Sequence, residues 1–306
     1  MSKFNYGGQA VIEGIMMRGK HFWAIAVRKE SDLVTIKHGP VQTLSSRFLL
    51  LGKPVIRGFV ALVETLILGM RSLTYSANEF AQEEQEELTT RDLVLTFIVA
   101  IGLTIGFFVM LPAYIVRHLQ TVVNSNILLN FYEGAIKISF FLLYIMGISW
   151  MKDIQRVFQY HGAEHQAINC YETDEELTIE NVRAHSRIHA RCGTNFILIV
   201  FFMSIFVFSF FGRPPFLQRI LTHLAITPIV AGLSYEIIRK AGKTDCHPIF
   251  QLVALPGKGL QYLTTRVPDD GQIAVAIDAL QTVMEKDASH AEAHKVHQLP
   301  IASRNM

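Results

Sequence analysis

Two histidines four residues apart, with a carboxylate beside the second, are the feature of this 306-residue chain best suited to chemistry. They stand in "YHGAEHQAINCYE", Tyr160 to Glu172. On an α-helix, positions i and i+4 lie one above the other, so the imidazoles of His161 and His165 can reach one divalent metal, zinc by preference. Glu164 at i+3 flanks the same face and can serve as general base on a water. H-x-x-E-H is the inverse of the commoner H-E-x-x-H and is an arrangement used by metallopeptidases. The motif is short, and the competing reading is a solvated polar helix start near lipid headgroups.

A catalytic zinc needs a third protein ligand and an open position. Glu236 in "AGLSYEIIRK" is the preferred third ligand, because the apolar segment before it should deliver it to the same end of the molecule as the motif. Its alternative is an ion pair with Arg239 at i+3. "VRAHSRIHARCG" places His185 and His189 again at i, i+4, with Cys192 three residues on. These residues can complete the first site, form one of their own, or belong to a basic headgroup-facing helix ended by Gly193. The segment from Glu180 to Gly193 is expected to pack back onto the first histidine pair. His290, His294 and His297 in "SHAEAHKVH" have helical metal spacing too, but nothing apolar surrounds them, so an exposed tail is expected.

The elements that must position these groups are mainly membrane helices. Half of the residues are apolar and the mean hydropathy is positive. Leu93 to Val116 carries no charge and is long enough to cross a hydrocarbon core of roughly 30 Å. Further spans are expected from about Ile127 to Met151, from Phe196 to Phe211 and from about Leu217 to Ile238. Short loops rich in Lys and Arg stay cytoplasmic. The segment 152–195 holds Lys152, Arg156, Arg183, Arg187 and Arg191, and Arg239, Lys240 and Lys243 follow the last span. The opposite turns hold only Arg117, and Arg213 with Arg219. Four spans with both termini and the motif loop inside satisfy the rule.

Around this membrane domain, residues 92–243, the remaining segments read as follows. Residues 1–53 form a cytoplasmic region with a glycine-rich loop and a β-hairpin, the latter from the alternation of Trp23, Ile25 and Val27 and the return through Val34 and Ile36. Residues 54–91 contain an interfacial or buried helix over Pro54 to Met70, striped by Arg57, Glu64 and Arg71, then an acidic linker, Gln82 to Glu87. Residues 244–306 form a cytoplasmic segment whose helix is capped by Asp269 or Asp270. The opening "YGGQAVIEGIMMRG" lacks the phosphate-loop pattern; Glu13 and Arg18 within it can line the site or pair with each other. The balanced charge, 28 basic against 26 acidic residues, argues against nucleic acid as a partner. Three cysteines without a C-x-x-C pair indicate reduced thiols instead of a disulfide framework.

"YGGQAVIEGIMMRG", "HGAEHQAINCYE", "ENVRAHSRIHARCGTNF", "AGLSYEIIRKAGK" and "LTTRVPDD" together resemble the bacterial YqhQ-like family of uncharacterised membrane proteins, over nearly the whole chain except the histidine-containing tail. That family is labelled as predicted metal-dependent enzymes, so the resemblance implies a bacterial inner-membrane location and a metal. "KTDCHPIF", with Cys246 and His247, departs from it, and those two residues receive no role. The combined expectation is a mainly α, multi-pass membrane protein that hydrolyses a membrane-associated peptide or lipid at the cytoplasmic face. The alternative is a non-enzymatic scaffold or assembly factor that binds lipids or a membrane protein through a polar or structural metal site.

Overall fold

The structure, a computed structural model, describes residues 6–29, 31–44, 48–81, 90–212, 215–241 and 247–298. The acidic run Gln82 to Glu87, Cys246 and the side chains of His294 and His297 lie outside that description. The chain is mostly helical, with one small antiparallel sheet near its start.

The glycine-rich opening is not a loop. It forms strands β1 (Gly7–Val11) and β2 (Gly14–Arg18), which precede β3 (Phe22–Arg28) and β4 (Val34–Pro40) in a meander of order β1-β2-β3-β4. The β3–β4 pair is the hairpin expected from alternation, with Ile25 opposite Lys37 and Val27 opposite Thr35. Side chains on successive strand residues point to opposite faces. Ile15, Met17, Ala24 and Ala26 therefore share one buried face, and Met16, Ile25 and Val27 the other. The first face packs against helix α5 (Lys152–Glu172) through Tyr160, Ala163 and Ala167, and against α10 (Asp270–Gln298) through Ile273, Leu280 and Val283. The second face meets Leu68 and Tyr75 of α1 (Ile56–Ala81).

At 26 residues α1 is longer than the expected Pro54 to Met70 segment. Its polar stripe is occupied by neighbours: Arg57 bonds Glu236, and Glu64 approaches Arg18 of β2 at 3.8 Å. The helix in the C-terminal segment starts with a reciprocal cap. Asp269 Oδ1 accepts from the Gln272 N–H and Gln272 Oε1 accepts from the Asp269 N–H, at 2.8 and 2.9 Å.

Among the described residues, three stretches are long and apolar enough to cross a membrane. Val94–Leu119 runs through α2 (Thr90–Ile105), a π turn and α3 (Leu111–Leu119); the others are α4 (Asn126–Ile148) and α8 (Phe216–Ala241). No residue of the most apolar window in the first stretch is buried within the chain. A helix apolar on every side and packed against so little protein is suited to lipid. The expected span Phe196 to Phe211 corresponds to α7 (Gly193–Phe208), an apolar helix of only 16 residues. At 1.5 Å per residue it reaches about 24 Å, short of a core of about 30 Å. Between α5 and α7 lies the short helix α6 (Ile179–Ala184). Neither α6 nor α9 (Pro248–Thr264) was foreseen; α9 packs on α7 and α8 and contributes Leu260 to a cluster with Phe141, Ile145 and Leu198.

Candidate metal centre

The motif lies on α5, which turns its apolar side to the sheet and α10 and its histidines toward α7, α9 and the segment between α6 and α7. Glycine at position 162 allows this. The chain leaving α9 crosses α5 so closely that a Cβ at Gly162 would stand 2.1 Å from the Arg266 carbonyl oxygen, and the Arg266 N–H bonds the Phe158 carbonyl at 2.8 Å.

Both histidines are oriented by backbone carbonyls. His161 Nδ1 lies 2.8 Å from the Thr264 oxygen, and His165 Nδ1 lies 2.6 Å from the Arg187 oxygen. A carbonyl can only accept, so each Nδ1 donates, which leaves Nε2 as the ring nitrogen available to a metal. Histidine ligands are commonly arranged this way, with the far nitrogen donating to a carbonyl or carboxylate. Cys192 Sγ stands 3.3 Å from His161 Nε2, and His165 is only 1% exposed. Ligand atoms of His161, His165 and Cys192 all lie within 4.8 Å of one another. Zinc bonds of about 2.0–2.3 Å in tetrahedral geometry set ligands roughly 3.4–3.8 Å apart, so the donor set fits after shifts of about 1 Å or less.

The returning segment is held by Gln261 of α9, which is fully buried. Its Oε1 accepts from the His189 N–H at 2.8 Å, while its Nε2 donates to the His189 oxygen and to Asn195 Oδ1, each at 2.9 Å. Segment 180–193 thus packs onto the histidine pair, as expected. The His189 ring stands 5.7 Å from that of His165, yet its Nε2 faces Glu172 Oε2 at 3.4 Å and not the trio. Burial alone would raise the Glu172 carboxyl, but hydrogen bonds and charge from His189 and Arg191 outweigh it and hold the group below the usual carboxylate range. His185 joins a second group, in which its Nε2 lies 3.3 Å from Glu175 Oε2 and near the buried Cys170 thiol. That thiol faces the Glu175 and Glu176 carbonyls, and burial, with Glu175 nearby, raises its pKa.

The other expected site residues are distributed differently. Glu164 is 5% exposed and its Oε1 accepts from the Gly8 N–H of β1 at 3.0 Å. A Cβ at Gly8 would meet Glu164 Cγ at 2.9 Å, so the close approach requires glycine. Glu236 is not brought into the trio: both its oxygens take hydrogen bonds from Arg57, at 2.7 Å each, with Arg239 at 3.9 Å. The i+3 partner foreseen for it is thus present but secondary. Glu13 and Arg18 do not pair with each other. Glu13 bonds Arg156 and the Tyr160 hydroxyl, whereas Arg18 faces Thr65 and Glu64 of α1. His290 stacks on His21 at 4.5 Å, so this part of the C-terminal histidine run is held against the sheet. Gln261 and Thr264 were not singled out from sequence, because their roles depend on contacts between segments far apart in the chain.

Comparison with known proteins agrees with this arrangement only at the level of family. No solved structure matches the chain. An uncharacterized protein of Bacillus subtilis (strain 168), YqhQ, is 32% identical over 308 aligned positions that cover 95% of each chain. Residues 53–286, which include every helix that forms the trio, match the family described as "Protein of unknown function (DUF1385)". With most of its length matched in both comparisons, the chain belongs to the DUF1385, YqhQ-like family.

Proposed function

We infer that the protein is a membrane-embedded, metal-dependent hydrolase acting at the cytoplasmic face of the bacterial inner membrane on a membrane-associated peptide or lipid. The observation that carries the reading is the orientation of both imidazoles by the Thr264 and Arg187 carbonyls, with Cys192 as the third donor. Three protein donors leave one coordination position open, the pattern of catalytic and not of structural zinc. When bound, such an ion supplies Lewis acidity toward a water and a scissile carbonyl or phosphoryl oxygen. Glu164 follows His161 by three residues, and its carboxylate, held on the sheet side of α5 by the Gly8 N–H, would have to turn from β1 toward the trio to accept a proton there. Topologically, the three long apolar helices would cross, α7 would make a fourth crossing only where the bilayer thins locally to its length, and the basic segment 152–195 would then place both termini and the centre inside.

A non-enzymatic scaffold with a structural metal is the second reading, favoured by the bond from Gly8 that gives Glu164 a purely architectural task. Glu164→Gln separates the two. In the hydrolase it leaves folding and metal content unchanged and abolishes complementation of a deletion strain, since general-base catalysis is typically worth about 10²- to 10⁴-fold. Normal complementation by Glu164→Gln beside failure of His165→Ala would leave the scaffold reading.

A further inference from the structure

A second cluster of ionisable side chains lies inside the apolar bundle, between α4 and α8, and the metal centre does not use it. Glu133, Lys137, Arg219 and His223 are each less than 10% exposed. Glu133 pairs with Arg219 and, at 2.9 Å, with Lys137; Lys137 Nζ lies 3.3 Å from His223 Nδ1, and Asn130 ties α4 to the Phe208 carbonyl of α7 at 2.9 Å. Two clefts, each partly open to the outside and with room for about one water-sized group, flank the cluster, one beside Lys137 and one beside Arg219 and Thr222.

Two features point to a ligand. One is charge: among the described residues Lys137 and Arg219 face one carboxylate, Glu133, so basic groups outnumber acidic ones in surroundings where an uncompensated ion is costly. The other is depth. Arg219 is one turn from the start of α8 and Glu133 two turns from the start of α4, about 5 and 10 Å along their helices. If α4 and α8 cross the membrane as proposed above, these positions lie near the membrane surface at that end of the bundle. Glu133 also precedes the end of α4 at Ile148 by about 22 Å of helix, and α5 with the metal centre follows that end. The two sites therefore occupy opposite ends of the bundle.

We propose that this cluster binds one phosphate-class anion at the bundle end remote from the metal centre, the arginine-lined cleft receiving its oxygens. Arginine suits such a group because its planar fork matches phosphate oxygens. A network that served only to pair α4 with α8, or to pass protons, would bind no anion.

Binding to the delipidated full-length protein in neutral detergent tests this, with phosphatidylglycerol, phosphatidylcholine and inorganic phosphate as separate probes. Preference for phosphatidylglycerol over phosphatidylcholine by tenfold or more identifies a lipid headgroup; saturable binding of inorganic phosphate at millimolar concentration identifies the free ion. Either supports the proposal. Arg219→Gln neutralises the cluster and should weaken that binding at least tenfold. Glu133→Gln, which raises its net charge, should strengthen it, and the opposite signs separate a charge effect from misfolding. No binding of inorganic phosphate together with equal binding of the two lipids would overturn the proposal. So would an Arg219→Gln protein that binds like the parent, or a loss of binding in both variants alike.

Discussion

Glycine inside a helix costs about 1 kcal/mol relative to alanine, and Gly162 stands between the two motif histidines. From sequence it counts against the motif; in the structure it admits the Arg266 carbonyl, which belongs to the same crossing segment that orients His161 through Thr264. Gly162→Ala should therefore destabilise the protein by about 1–3 kcal/mol through overpacking, in spite of alanine's better helix propensity. Thermal unfolding of the variant in detergent measures this, and an unchanged or higher Tm would show that the crossing does not constrain α5. At this scale the histidine pair was legible because i, i+4 spacing is a property of the helix alone. The proposed third donor was not. Glu236 and Cys192 were both plausible from spacing, and only the bidentate pair with Arg57 and the 3.3 Å approach of Cys192 to His161 distinguish them.

Elements were legible where periodicity was strong. Alternation marked β3 and β4, and uninterrupted apolar runs marked the long helices. It was weak in "YGGQAVIEGIMMRG", where adjacent glycines dilute the alternating pattern, and β1 and β2 form because their residues bury both faces of the sheet between α1 and the α5–α10 layer. The helix α9 contains Pro256, Gly257 and Gly259, which locally argue against a helix. Tertiary packing decides otherwise: a Cβ at Gly257 would meet Asn195 Oδ1 at 2.3 Å, so α9 lies tightly against the start of α7. The same junction is fastened by Gln261. Gln261→Leu removes three buried hydrogen bonds and strands the His189 backbone, at about 1–3 kcal/mol per unsatisfied group. The expected result is faster hydrogen exchange confined first to residues 185–195, seen by mass spectrometry. Unchanged protection there would remove Gln261 from the account.

For the whole molecule, a small sheet sandwiched by helices is joined to an apolar bundle, and the trio sits where α5, α7 and α9 converge. In the proposed topology that junction lies inside the cell, so Glu175→Cys should stay unlabelled by a membrane-impermeant thiol reagent added to intact cells, while Thr121→Cys is labelled. The reverse pattern would invert the topology. The central claim, a metal held by His161, His165 and Cys192, is tested most directly by elemental analysis of the full-length protein purified without chelator. The account predicts about one zinc-class ion per chain, lost in His165→Ala and Cys192→Ser and kept in Glu236→Gln. Parent protein free of metal even after incubation with zinc, or a Cys192→Ser protein that retains its full complement, would contradict it.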